Sequence, residues 1–85
     1  MKSVQIYLKP TCPYCKKALL VLRRAGITNP TIIDVSKQPA RKQEMVNRSG
    51  GRTTVPQIFV DGNYLGDCAK VIELEKSGKL SGQLQ

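Results

Sequence analysis

The chain has 85 residues, three cysteines, no histidine and a formal net charge of +8, with 40% apolar residues. That length makes one small domain, residues 1–85, burying roughly 60–65% of its unfolded surface around a single modest core. The composition excludes a disordered chain, a membrane-crossing helix and any site that needs imidazole as metal ligand or general base.

Met1-Lys2-Ser3-Val4 lacks the apolar stretch of a secretory signal, and an odd cysteine count does not suit a secreted disulfide framework, so a cytoplasmic location is expected. The basic balance suits acidic partners, although a solvated surface explains it without any partner. Aromatic residues are few and do not interleave a basic run, so no specific nucleic-acid contact is expected.

Ser3–Leu8 alternates with period two, which predicts a strand with Val4, Ile6 and Leu8 on one face. Lys9-Pro10-Thr11 breaks it. From there Cys15, Ala18, Leu19, Leu22 and Ala25 recur at helical spacing, with Pro13 suited to the first turn and Gly26 to the stop. Leu20 and Val21 widen the apolar face, which predicts packing on more than one side. Thr31–Val35 is short and β-branched, and reads as a buried strand. Pro39 opens a polar helix to about Arg48, with Met45 and Val46 inward and Ser49-Gly50-Gly51 ending it. Gln57–Val60 and Tyr64-Leu65 flank Asp61-Gly62-Asn63, a hairpin signal. A last helix is predicted from the N-cap Asp67, carrying Val71, Ile72 and Leu74 and closing at Ser77-Gly78. Lys79–Gln85 fits no one element. The order β-α-β-α-β-β-α implies a parallel, right-handed pairing of the first two strands and an antiparallel final hairpin.

Within this frame Cys12-Pro13-Tyr14-Cys15 falls where a strand ends and a helix begins. Unpaired backbone N–H groups and the positive end of the helix dipole favour thiolate there, and Lys9, Lys16 and Lys17 add positive charge. Cys12 is therefore expected to ionise below an ordinary thiol and to act as nucleophile. Cys15 lies about one turn on, within disulfide reach, and on the apolar stripe, so it is expected to stay protonated and to resolve a mixed disulfide formed at Cys12. A structural zinc site lacks ligands, since only Cys68 remains. Haem attachment needs a histidine where Lys16 stands.

Cys12-Pro13-Tyr14-Cys15, the run Arg52-Thr53-Thr54-Val55-Pro56-Gln57-Ile58-Phe59, and Gly66 with Cys68 together resemble the dithiol glutaredoxins over nearly the whole chain. The resemblance implies a thioredoxin-like α/β fold, a four-stranded mixed sheet flanked by three or more helices. It implies a cis Pro56 facing the cysteines, which exposes the Val55 backbone so that an extended tripeptide can pair with it as an added strand. It further implies a glutathione groove in which Lys9 meets the glycyl carboxylate, Lys42 or Gln43 helps hold it, and Tyr14 and Thr54-Val55-Pro56 wall the site. The helix N-terminus at Cys68 would receive the γ-glutamyl carboxylate. The chain departs from the family pattern at Gly66-Asp67-Cys68-Ala69-Lys70, because Ala69 replaces the aspartate that would bind the γ-glutamyl ammonium. Two readings of Asp67 stand: it supplies the missing carboxylate, with Lys70 meeting the γ-glutamyl carboxylate, or it only caps the helix and glutathione binds weakly.

The implied function is a glutathione-dependent thiol–disulfide oxidoreductase. It would reduce protein disulfides through both cysteines and glutathione–protein mixed disulfides through Cys12 alone. Glutathione is the co-substrate, with no permanently bound group, no metal, no membrane and a monomeric state expected. The alternatives are a glutaredoxin-like electron donor recycled by a thioredoxin-type reductase and, less favoured because Pro13 stiffens the loop after Cys12, an iron–sulfur cluster carrier. Cys68 reads as a small, partly buried residue.

Overall fold

The alternation near the N-terminus folds as strand β1, Val4–Leu8, in a computed structural model that describes residues 2–84. Val4, Ile6 and Leu8 point into one core and Tyr7 into another on the opposite side, as period-two geometry requires. Helix α1, Pro13–Arg24, has proline in its first turn and two arginines in its last. It buries Cys15, Ala18, Val21 and Leu22. Leu20, expected to widen the buried face, is instead 51% exposed. Only one side of α1 meets protein, so the helix is packed on one broad face.

Strand β2, Thr31–Asp34, pairs in parallel with β1, matching Ile6 to Ile32 and Leu8 to Asp34. The expectation of a buried strand holds only in part. Ile33 is buried, but Thr31 is exposed and Ile32 is 54% exposed. The sheet order is β2-β1-β3-β4, so β2 is an edge, and the helices on the Ile6 face do not extend over it.

Helix α2, Pro39–Arg48, supplies Met45 to the core on the Tyr7 side. Its Glu44 accepts a hydrogen bond from the Tyr7 hydroxyl, and Arg48 donates to that hydroxyl and lies 4.1 Å from the centre of the Phe59 ring. Strands β3, Gln57–Val60, and β4, Asn63–Gly66, form the hairpin. The turn is the two residues Asp61 and Gly62, both with positive φ, as a tight right-twisting turn demands. Asn63, expected in the turn, starts β4 instead. β3 also pairs antiparallel with β1, which puts it in the middle of the sheet.

Helix α3, Cys68–Lys76, packs beside α1 on the Ile6 side, and its N-cap Asp67 accepts from the Lys70 N–H at 3.1 Å. The ambiguous tail forms a further helix, α4, Leu80–Leu84, whose Leu80 and Leu84 close that core from below; Gln85 lies outside the described residues. The architecture is a four-stranded mixed sheet with α1, α3 and α4 on one face and α2 on the other. No helix among the described residues is long and apolar enough to cross a membrane. What this layout does for function is to bring three chain segments to one end of the sheet: the β1–α1 junction, the loop entering β3, and the start of α3.

Candidate active site

The turn at Lys9–Cys12, closed by a Cys12 N–H to Lys9 carbonyl bond of 3.1 Å, delivers Cys12 to the N-cap of α1. In that position its Sγ does what a capping oxygen usually does: it accepts the Cys15 backbone N–H, at 3.4 Å. Burial works against ionisation of Cys12. The Cys15 thiol, the N–H groups of Cys15 and Tyr14, and the charge of Lys9 outweigh it and hold Cys12 below the ordinary thiol value. Of the three lysines expected to assist, Lys9 is the one that stands out in lowering it. Lys17 acts on Cys68, whose thiol it lowers. The Cys15 thiol and backbone donors, more than lysine charge, stabilise this thiolate.

Cys15 is 1% exposed. Burial first, and then its hydrogen bond to Cys12 and the Cys12 charge, push its thiol up to about 12. The neighbouring sulfurs are thus separated in protonation by their places on one helix turn, one capping and one in the core. Cys68, at the first position of α3, is also buried, and burial raises its thiol despite Lys17. It packs among the core residues as a small apolar side chain.

Across from Cys12 the peptide bond between Val55 and Pro56 is cis, and the Val55 carbonyl oxygen lies 3.9 Å from the Cys12 Sγ. The segment is held from below by Gln57, which is fully buried. Its amide donates to the Thr54 carbonyl at 2.9 Å, and its carbonyl accepts from the Tyr64 hydroxyl at 2.6 Å. Nothing in the sequence pattern distinguished Gln57 from any other strand residue; only its burial in the sheet reveals the role.

Beside Cys12 lies a cavity of about 310 Å³ lined by Tyr14, Thr54, Val55, Pro56, Asp67, Cys68 and Ala69. Six of the residues expected to bind a ligand therefore meet in one place. Tyr14 is 67% exposed and stands at its edge. Lys9 and Lys42 are exposed and do not line the cavity, and Gln43 spends its amide on Asn47. A larger hollow of about 620 Å³ runs along the outer side of α3, past Ala69, Ile72, Glu73, Lys76 and Ser77. The smaller cavity is the one walled by Val55, whose carbonyl lies 3.9 Å from the Cys12 Sγ, so the chemistry belongs there.

The α3 end of that cavity is tightly constrained. Gly66 has φ +148°, and a Cβ there would stand 2.5 Å from the Lys70 Cβ, so only glycine lets the first turn of α3 fold against β4. Asp67 uses one carboxylate oxygen on the Lys70 N–H and the other on Arg52 Nη2, at 2.8 Å. Arg52 was not singled out from the sequence. Its opposite charge was visible, but 15 residues separate it from Asp67, and no local pattern joins them.

The glutaredoxin family model matches residues 4–65. Glutaredoxin 3 of Escherichia coli (strain K12) is 40% identical over the whole of both chains. The solution structure of a glutaredoxin from Brucella melitensis is 42% identical, with a TM-score of 0.82, covering 99% of this chain and 89% of its own. That of the dithiolic glutaredoxin 2-C-Grx1 from Trypanosoma brucei brucei is 32% identical, with a TM-score of 0.83, covering 99% and 88%. The polarised cysteine pair thus sits in a scaffold whose sequence and shape are shared end to end with these proteins, and the chain belongs to the glutaredoxin family of the thioredoxin superfamily, as a glutathione-dependent thiol–disulfide oxidoreductase.

Proposed function

We propose that Cys12 is the nucleophile for two routes and that Cys15 serves only one of them. In the monothiol route the Cys12 thiolate attacks the glutathionyl sulfur of a protein mixed disulfide. A Cys12–glutathione disulfide forms, the protein leaves as a thiolate and takes up a proton, and the thiolate of a second glutathione then attacks, releasing glutathione disulfide and the Cys12 thiolate. In the dithiol route Cys12 forms a mixed disulfide with a protein disulfide. Forming that bond removes both the charge and the hydrogen-bond acceptor that help keep Cys15 protonated, so Cys15 can lose its proton and displace the protein thiolate. Two glutathione molecules reduce the resulting Cys12–Cys15 disulfide.

The observation that carries this reading is the N-cap position of the Cys12 sulfur, set against the buried, protonated Cys15 one turn away. Glutathione lies against Tyr14 and the Val55 backbone, with its γ-glutamyl carboxylate at the α3 N-terminus by Cys68 and its glycyl carboxylate drawn by Lys9, and by Lys42 at longer range. The protein works as a single-domain cytoplasmic monomer, with disulfide-bonded or glutathionylated proteins as substrates and no permanently bound group. Turnover of a glutathionylated peptide and of a protein disulfide by wild type, Cys12→Ser and Cys15→Ser tests the assignment. The first variant is expected inactive on both and the second active on the mixed disulfide alone. Activity of Cys12→Ser on either substrate would overturn it.

A further inference from the structure

Glutathione carries two carboxylates and one α-ammonium, and the cavity beside Cys12 treats them unequally. Asp67 is the one acidic residue among the seven that line it. Its two oxygens are already engaged, one by the Lys70 N–H and one by Arg52. The rest of the wall at that end, Cys68 and Ala69, offers backbone N–H groups and small apolar side chains. The chain's other acids lie elsewhere. Glu44 and Glu75 are paired with Arg41 and Arg24, Asp34 and Asp61 bond within their own loops or to Ser3, and Glu73 faces the outer hollow of α3.

We propose that Asp67 is a positioning residue which clips Arg52, and with it the segment leading to Val55-Pro56, onto the start of α3, and that the site in consequence selects anionic thiol peptides by sulfur and carboxylate without reading the α-amino group. This rests on the glutathione reading above and narrows its substrate class: tripeptide thiols lacking that amine are accepted as well as glutathione. The physical ground is competition. An incoming ammonium would have to share a carboxylate whose charge is already met by a guanidinium 2.8 Å away and whose other oxygen caps α3, so the added attraction is small. A carboxylate meets no such obstacle, since the free N–H groups at the start of a helix and nearby Lys70 attract it.

The test compares two mixed disulfides of one cysteine peptide, one made with glutathione and one with glutaryl-cysteinyl-glycine, which has hydrogen in place of the ammonium. Single-turnover rate constants for reduced wild type, Asp67→Asn and Ala69→Asp are measured. A site that binds the ammonium by a charged hydrogen bond prefers glutathione by about tenfold or more. Wild type is expected to prefer it by no more than about threefold, well short of such a bond. Asp67→Asn is expected to leave that preference where it was. Ala69→Asp, which adds an unpaired carboxylate to the wall, is expected to create a preference of about tenfold. A tenfold preference in wild type, its loss in Asp67→Asn, or no change in Ala69→Asp would each overturn the proposal. If neither mixed disulfide reacts with wild type, the glutathione reading itself fails.

Discussion

Replacing Cys15 separates two contributions to the Cys12 thiolate. In the native site the backbone N–H of residue 15 and the Cys15 thiol both donate to the Cys12 sulfur. Cys15→Ala removes only the thiol. Because S–H is a weak donor, its bond to the thiolate is taken at about 0.5–1.5 kcal/mol net, and one pKa unit is about 1.36 kcal/mol. On the acid limb of its titration Cys12 should therefore hold about 2- to 12-fold less thiolate in Cys15→Ala than in wild type. The effect on alkylation is smaller. A less acidic thiol gives a more nucleophilic thiolate, with a Brønsted coefficient of about 0.4–0.5, so the rate falls only about 1.5- to 4-fold. Cys15→Ser retains a donor and should match or exceed wild type. Titration of thiolate absorbance measures the first quantity and iodoacetamide alkylation at acid pH the second. Cys68 does not interfere, because burial raises its thiol. If the alanine and serine variants both titrate with wild type, the Cys15 thiol does not stabilise the Cys12 anion, and the part of the account that links the two sulfurs is wrong.

Asp67→Ala should destabilise the fold by about 1–2 kcal/mol, from a lost N-cap and an ion pair exposed enough to contribute little. The melting temperature should fall about 4–8 °C per kcal/mol, with Asp67→Asn losing much less because asparagine also caps. Gln57→Ala strips the support from Thr54 and should cost about 1–3 kcal/mol. It should also slow reduction of mixed disulfides more than it slows alkylation of Cys12 by a small reagent, a comparison stopped-flow kinetics can make. In the native protein Cys68 should resist alkylation at neutral pH and react only once denaturant opens the core, as mass spectrometry of labelled peptides will show. Anaerobically purified protein should be colourless, and an absorption band in the visible range would revive the cluster-carrier reading. The stability of the reduced protein should also depend on pH through Cys12. Because the folded thiol is more acidic than the unfolded one, ionisation stabilises the fold above the unfolded value, and that stability is lost as pH falls through the folded value. Cys12→Ser should lack this dependence in parallel denaturation curves.

Much of this site was legible in the sequence because its parts are local. A helix that starts at Pro13 places the preceding residue at the N-cap, and the same helical period puts Cys15 on the stripe with Ala18 and Leu22. Asp67 announced its capping role in the same way, and Asp61-Gly62 its turn. The features that were not legible depend on distance or on layers. Thr31-Ile32-Ile33 has the composition of a buried strand, but whether helices cover it follows from the sheet order, which places it at an edge. Leu80 and Leu84 make too short a pattern to establish α4 before the core above them is known. The charge that most affects Cys12 comes from Lys9 in the turn before α1, not from a lysine in the helix. Arg52 with Asp67, and Gln57 with Thr54 and Tyr64, are contacts across elements, invisible until the loop before β3 is folded against α3 and β4.

The most direct test of the whole account is the pH dependence of alkylation at each cysteine, read peptide by peptide in the reduced native protein. Cys12 should react first and keep its rate below the pH at which an ordinary thiol loses reactivity, with Cys15 protected throughout. A Cys12 rate that climbs only through the range of a free thiol, or earlier labelling at Cys15, would contradict the division of labour drawn from their two positions on α1.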